Sequence, residues 1–411
     1  MWRYTMARPL EGLRVVELGT HIAVPLGSRM MAEWGAEVIK VEAPEGDAYR
    51  SMGLLMALPF KEDFNVLLQP TNAGKKDICI NLKDPEGLKV LFKLLETADI
   101  FTTSIRLSAL KKMGLDYESI KDRYPGLVYA HFSGFGNKGA ESERPGFDSA
   151  AFWARGGEMI EWSNEGVYPV RPFLGFGDAV SSSMLLNGIL GALIKKEKTG
   201  VGDYVESSLL ATSLWYNFHG VIMGQQQFGH KFPRKHEQPL GGPMQVHYET
   251  KDGDWMLIVE PLWDWKYKKY LEFLDLEQYL EDPRFTSFRG AAIHVAELIP
   301  IFAEAFKKKT TAEIKAFFIK NDIVHERLVN PSELCEDQQA WDNGYLREVE
   351  FQNGKKMVMP KEAVHFASMD EPAYTLAPDL GQHSKEILLA AGYSEVEAEA
   401  LIAAKAVIQH S

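Results

Sequence analysis

Cysteine is nearly absent: only Cys79 and Cys335 stand among 411 residues. Two thiols cannot build a disulfide framework or a zinc site. Cys79 lies in the strand-like run KKDICINL and reads as a small buried apolar residue. No base or cysteine motif accompanies either thiol, which argues against thiol catalysis. Positive charge is also short. The 45 Lys and Arg face 57 Asp and Glu, for a net charge of -12, and the basic residues are scattered. A chain without a basic stripe is a poor nucleic-acid binder. A few placed cations and helix N-termini can still hold an anionic ligand. Long apolar runs are lacking as well. The N-terminal MWRYTMARPLEGLRVVELG has no signal-peptide core, and no stretch reads as approaching the roughly 20 apolar residues of a membrane span. The expectation is a cytoplasmic protein with no membrane or nucleic-acid partner. No H-E-x-x-H, P-loop, G-x-S-x-G, internal repeat or low-complexity segment occurs, and no metal site is expected.

What is present is an ordinary globular composition, 45% hydrophobic and 25% charged, in a chain long enough for two domains. LRVVELG reads as a buried strand, THIAVPLGSRMMAEWGA as loop and helix, and EVIKVEAP as a second strand. The alternation continues through DICINLK, DPEGLKVLFKLLETA, DIFTTSI, LSALKKMGLDYESIKDRYP and GLVYAHFSGFG. Strands alternating with helices predict a parallel sheet covered on both faces, so the fold class is α/β and Rossmann-like. A dinucleotide site is not supported: the first turn is GTHIAVPLGS rather than G-x-G-x-x-G, although Glu42 ends the second strand where a ribose-binding acid would stand. Residues 136–177 are glycine-rich and irregular. Near Gly229 the Pro/Gly-rich HKFPRKHEQPLGGPMQ marks a boundary, followed by the hairpin VHYETKDGDWMLIVE with its D-G turn and by helical runs. The reading gives a large domain over 1–227, a smaller α+β domain over 228–330, and a C-terminal segment over 331–411 returning to the large domain.

Among residues that could carry chemistry, Asp178 stands out in LGFGDAVSSSMLLNGILGALIKKEKTG. The apolar spacing after it predicts a helix over 179–195 that closes at Gly200. Two readings fit Asp178. It is a favoured N-cap residue, or it is an ionised carboxylate at a helix N-terminus, approachable beside Gly175 and Gly177 and able to attack an activated carbonyl. Spacing does not choose between them. His21 follows the first strand, and Lys83 and Arg106 end later strands. Ligands of open α/β sheets bind at such carboxyl ends, so an anionic ligand is favoured, although each residue alone reads as a solvated or structural side chain. Lys111 and Lys112 read as a solvated helix face. Trp153, Trp162, Trp263 and Trp265 read as core or interface residues, with an apolar acyl pocket as the alternative. Gly241 and Gly242 are a plain turn or a flexible loop over a reactive intermediate.

Five stretches in order resemble the blocks of the class III coenzyme A transferases, the family of formyl-CoA transferase and carnitine CoA-transferase. They are PLEGLRVVELGTHIAVPLGSRMMAEWGAEVIKVEAPEGDAYR, NAGKKDICINLKDPEG, ADIFTTSIRLSALKKMGLDYESIKDRYPGLVYAHFSGFG, GDAVSSSMLLNGILGALIKKEKTGVGDYVESSL and APDLGQHSKEILLAAGYS. ERPGFDSAAFWARGG and CEDQQAWDNGYL are most similar to the 2-hydroxyacyl members, such as the 2-hydroxyisocaproate and phenyllactate enzymes of amino-acid fermentation. The resemblance implies CoA transfer from an acyl-CoA to a carboxylic acid, with CoA as co-substrate and no permanently bound cofactor, in an interlocked homodimer. Carried over by position, Asp178 falls on the nucleophile, which forms an acyl-aspartyl anhydride and then an aspartyl-CoA thioester. His21, Ile22 and Ala23 fall near the first CoA-contacting loop; Lys83, Ser104, Ile105, Arg106 and Lys112 fall on further contacts. Asp148 falls on an acid close to the nucleophile, and Gly241 and Gly242 on a glycine loop that covers the intermediate. The aromatic content of 150–165 suggests an acyl chain larger than formyl.

The chain departs from the family pattern in its first loop, where Val24 rather than glycine precedes Pro25 and one residue is missing relative to formyl-CoA transferase. Ala43 stands in place of an arginine, and the glycine loop is short. The α-methylacyl-CoA racemases share the fold and use a His–Asp pair of bases; their histidine would fall at Phe147, which cannot move a proton. A non-catalytic CoA-binding protein is the other reading, and it would tolerate Asp178→Asn.

Overall fold

The computed structural model describes residues 8–235, 241–367, 369 and 373–410. They form two compact units. The first comprises Met1–Glu158, Arg171–Ile222 and Gln338–Ser411, and the second Met159–Val170 and Met223–Asp337. The second unit therefore includes a short stretch that precedes the nucleophile candidate in sequence.

The first unit is built on a seven-stranded sheet. Its strands are β1 Arg14–Leu18, β2 Glu37–Glu42, β3 Lys76–Ile80, β4 Ile100–Thr103, β5 Val128–Ser133 and β6 Tyr204–Ser208, with Val407–Ile408 at one edge. The spatial order is Val407–Ile408, β3, β2, β1, β4, β5, β6. Every neighbouring pair from β3 to β6 is parallel. Only the edge strand runs antiparallel, a departure from the all-parallel expectation. The continuous apolar runs follow from this setting: β1, β2 and β5 are buried along nearly their whole length, as parallel strands covered on both faces must be.

Helices α1 Ala23–Glu33, α2 Pro85–Leu95, α3 Leu107–Met113, α4 Phe176–Thr199 and α5 Leu209–Tyr216 connect or cover these strands. Val16, Ile39, Ile78 and Phe101 of the sheet join Val90, Leu91 and Leu94 of α2 and Leu110 of α3 in one core. Helix α4, 24 residues long, is apolar and long enough by composition to cross a bilayer, contrary to the reading of the sequence. Here it packs against α1, β5 and β6 and buries Ser181, Ser182, Leu185, Leu186 and Ile189.

The strand order reverses between β1 and β4. Chain crossovers leave in opposite directions there, so their loops part and open a crevice at the carboxyl ends of the strands. The crevice position is thus set by topology before any side chain is considered.

The second unit has a three-stranded antiparallel sheet of β7 His247–Glu249, β8 Trp255–Val259 and β9 Val324–Arg327, with β8 central. Gly253, at φ 84°, makes the turn expected of D-G. Its core is aromatic: Tyr248, Trp263, Tyr270, Phe285, Phe302, Phe306 and Phe318 are all buried. The Trp263 indole donates to the Phe285 carbonyl at 2.6 Å, so its polar atom is satisfied.

Candidate active site

A cavity of about 260 Å³ opens at the β1/β4 crevice of the first unit. The loop after β1 contributes Thr20, His21, Ile22 and Ala23, the end of β4 contributes Ser104 and Arg106, and the end of β5 contributes His131, Ser133 and Asn137. Arg144, Phe147, Leu209 and Asp178 complete the wall. Asp178 is the only carboxylate in the lining among the described residues. Arg106 makes no ion pair among the described residues, and Arg144 is held beside Glu141 at 2.9 Å. One acid, two guanidinium groups and several hydroxyls thus share the lining, a setting for an anionic ligand.

Helix α4 begins earlier than the sequence predicts. Gly175, at φ 91°, is its N-cap, and Phe176 is its first residue. Glycine alone adopts that left-handed conformation without a Cβ penalty. Asp178 is therefore not the cap but lies within the first turn. The cap comes from 30 residues upstream: Asp148 Oδ2 accepts from the Gly175 amide at 3.1 Å, and Oδ1 accepts from the Asp178 amide at 3.2 Å. Asp148 satisfies the orphan donors of the helix start, and it is itself only 4% exposed. Gly177 permits this approach, because a Cβ there would lie 2.3 Å from Asp148 Oδ1 and 2.5 Å from Phe152 Cγ.

With Asp148 as the cap, the Asp178 carboxylate is left without a hydrogen-bond partner among the described residues. Burial and then the negative charge of Asp148 push its pKa up to about 7. This corrects the expectation that the helix terminus keeps it ionised at all ordinary pH: desolvation and a like charge outweigh the dipole. Burial also raises Asp148, but the amides of Gly175, Asp178 and Gly177 pull it back. Burial and then the charges of Asp178 and Asp47 raise the Tyr49 phenol as well.

The loop carrying His21 is pinned from beneath. Glu17 on β1 accepts from Lys40 Nζ at 2.9 Å and from Lys75 Nζ at 2.6 Å, and from the Ser28 hydroxyl. Lys40 also donates to Asp47 at 3.0 Å. Asp47 in turn accepts from the amides of His21, at 3.0 Å, and Tyr49, at 2.9 Å. This chain of buried charges holds His21 at φ 67°, a conformation unusual for a residue with a Cβ. Burial alone would raise the Glu17 carboxyl; Lys40 and Lys75 outweigh it and hold it below its usual range. The His21 ring meets Phe147 edge-on with centroids 5.4 Å apart. On the far wall, His131 Nε2 donates to the Ile105 carbonyl at 2.9 Å and Nδ1 accepts from Asn137 at 2.6 Å. That arrangement needs a neutral ring, and burial lowers its pKa accordingly.

The structure brings together His21, Ile22, Ala23, Ser104, Arg106 and Asp178, with Asp148 behind Asp178. Ile105 does not line the cavity; its carbonyl accepts from His131 and its side chain packs against the sheet core. Lys83 does not line the cavity; its exposed ammonium lies 3.9 Å from Glu45. Lys112 sits in the last turn of α3, also outside the lining. Gly241 and Gly242 belong to the second unit, Gly241 at φ 96°. None of residues 150–165 lines the cavity. Trp153 and Trp263 are buried, while Trp162 and Trp265 are exposed. The apolar wall is instead Ile22, Leu107, Phe132, Phe147 and Leu209. Sequence reasoning missed Tyr49, His131, Asn137 and Arg144 as neighbours of this site. The run YAHFSGFGN at a strand's carboxyl end was the available signal for two of them. Among the described residues, no group of three His, Cys, Asp or Glu could hold a metal ion.

A doubly wound sheet with a cavity at its switch point, lined by one carboxylate and two guanidinium groups among the described residues, defines an α/β protein with a site for an anionic ligand. Residues 10–384 match CoA-transferase family III, and the chain belongs to that family: it is a CoA-transferase, with CoA thioesters as co-substrates. It is 38% identical over 386 residues to the (R)-2-hydroxy-4-methylpentanoate CoA-transferase of Clostridioides difficile, covering 94% of this chain and 96% of that one. It is 34% identical to the cinnamoyl-CoA:phenyllactate CoA-transferase of Clostridium sporogenes, covering 95% of each. The crystal structure of a CAIB/BAIF family protein from Brucella suis superposes with a TM-score of 0.80 at 25% identity, over 94% of this chain and all of that one.

Proposed function

We propose that the protein moves CoA from an acyl-CoA to a 2-hydroxy acid with an apolar side chain, using Asp178 as the nucleophile. The observation that carries this is the unpartnered Asp178 carboxylate in a cavity whose other charged groups are cationic. The substrate class is supported by the two relatives, both named for transfer to or from 2-hydroxy acids with branched or aromatic side chains. The apolar wall of Ile22, Phe147 and Leu209 suits such a side chain.

An Asp178 oxygen attacks the donor thioester carbonyl; the new C–O bond replaces the C–S bond, and CoA leaves as thiolate. The thiolate attacks the aspartyl carbonyl of the mixed anhydride, which releases the donor acid and leaves an aspartyl-CoA thioester. The acceptor carboxylate attacks that thioester and frees the thiolate again. The thiolate then takes the acceptor's acyl carbon, and Asp178 returns as carboxylate. Each step conserves an activated acyl group, and an apolar wall that excludes water protects it from hydrolysis. Arg106 and Arg144 are placed for anionic groups of CoA or acid.

Racemase chemistry is disfavoured by Phe147, which occupies the cavity wall where that chemistry would need a base. The reading is tested by incubating the protein with acetyl-, 4-methylpentanoyl- or cinnamoyl-CoA and with each enantiomer of 2-hydroxy-4-methylpentanoate and phenyllactate. New acyl-CoA, read by mass spectrometry with the native protein and absent with Asp178→Ala, is the expected result. Turnover of only one- or two-carbon acids, or scrambling of an α-stereocentre without exchange, would overturn it.

A further inference from the structure

Asp148 caps the nucleophile's helix with both carboxylate oxygens, on the amides of Gly175 and Asp178 itself. An asparagine would satisfy one of those donors, and a serine is a favoured cap; neither carries charge. The chain instead places a buried carboxylate against the first turn and keeps a glycine, Gly177, to admit it. The titratable and charged groups around Asp178 are Asp148, which opens the helical segment Asp148–Ala154, Tyr49 from the loop after β2, and His21, Arg106 and Arg144 along the cavity. Asp148 is the one buried anion among them.

A fixed anion beside a nucleophilic carboxylate has a consequence for the covalent states. The free Asp178 carboxylate carries a negative charge and is repelled. In the anhydride, the attack has moved that charge to the departing thiolate, and Asp178 is neutral. In the aspartyl thioester it is neutral again. The repulsion exists only in the unacylated anion, so it raises that state and leaves the two covalent states untouched. Protonation neutralises the same group, so the repulsion adds to burial, the larger cause, in raising the pKa of Asp178.

Resting on Asp178 as the nucleophile, we infer that Asp148 is a positioning residue whose buried charge biases Asp178 toward its acylated states. The bias serves a transferase that passes through two covalent intermediates, because neither sits in a deep trough behind the free carboxylate.

The test uses the full-length protein with 4-methylpentanoyl-CoA and no acceptor. Acylation runs at pH 4 to 9, and each sample is then brought to one fixed pH, where hydroxylamine converts an Asp178 anhydride or thioester to a hydroxamate that is counted by peptide mass. In Asp148→Asn, the hydroxamate yield at pH 7.5 should fall about tenfold, the equivalent of one pKa unit, and the acid limb of its formation should move to lower pH. A cap with a merely structural role would lower the yield without moving the limb. An unchanged limb in a folded Asp148→Asn overturns the inference. If that variant does not fold, Asp148→Ser, uncharged and a favoured cap, is read in the same way, and an unmoved limb in it overturns the inference. Absence of any Asp178 hydroxamate in the native protein would overturn the nucleophile reading itself.

Discussion

Asp178 shows how one residue can satisfy two readings of a sequence and be settled by a third residue far from it. Its place near the start of an apolar helix was legible; that Asp148 does the capping was not, because the two acids meet only when the loop between them folds back. Freed from capping, Asp178 is costly in its charged form. Its folded pKa lies above the unfolded one, so the native state binds more protons between pH 4 and 7, and stability falls as pH rises through that window. Asp178→Asn should therefore abolish exchange and yet raise the melting temperature at pH 8, with the gain shrinking as pH drops below 7. Scanning calorimetry against pH checks this. Because attack needs the carboxylate, transfer by the native protein should rise with pH through about 7, provided the rate follows acylation. Arg106, exposed and without an ion pair among the described residues, should act through binding. Arg106→Ala is expected to raise KM for the CoA thioester on the order of tenfold, as loss of a charged hydrogen bond would, with a smaller change in kcat.

At the scale of elements, the strand–helix alternation was plain in the sequence because buried parallel strands such as β1 and β5 must be apolar throughout. Helix starts were less plain. α4 begins at Phe176 because Gly175 takes φ 91°, and nothing in apolar periodicity announces that. The two glycines flanking the start have separate jobs. Gly177→Ala would press a methyl group against Asp148 and Phe152, so the helix start must shift and Asp178 with it. We expect a loss of about 1–3 kcal/mol in stability, typical of overpacking, with a larger fractional loss in kcat; urea titration and steady-state kinetics would separate the two. The family resemblance brought six of its candidate residues to one cavity, since they sit at the ends of β1 and β4 and at the start of α4. It carried Lys83 and Lys112 to positions outside that cavity; of the aromatic run at 150–165, Trp153 is buried and Trp162 lines a different cavity, of about 510 Å³, in the second unit. Its tryptophans flagged apolar character without saying which side of the chain faced the site.

For the molecule as a whole, topology places the crevice and buried charge stiffens its floor. Glu17, Lys40, Asp47 and Lys75 are all nearly or fully buried, yet all lie in segments that read as ordinary strand or loop. Lys40→Met leaves Glu17 and Asp47 short of a partner and should cost about 3–5 kcal/mol, read as a lowered urea midpoint. The same substitution loosens the His21 loop. Exposed apolar side chains from Leu214 to Ile222, among them Trp215 at 69% exposure, suit the homodimer that the family resemblance implies. Light scattering should then give twice the chain mass of 46.3 kDa.

The central claim, transfer through an Asp178 anhydride, is met most directly by oxygen tracing. Supplied with an exchanging acyl-CoA and a 2-hydroxy acid labelled with oxygen-18 in both carboxylate positions, the protein should acquire label on the Asp178 side chain, because the bond to the acceptor's acyl carbon breaks and leaves the bridging oxygen on aspartate. An Asp178 peptide that gains mass during exchange is the predicted result. Exchange that proceeds at full rate while that peptide stays unlabelled would contradict the account.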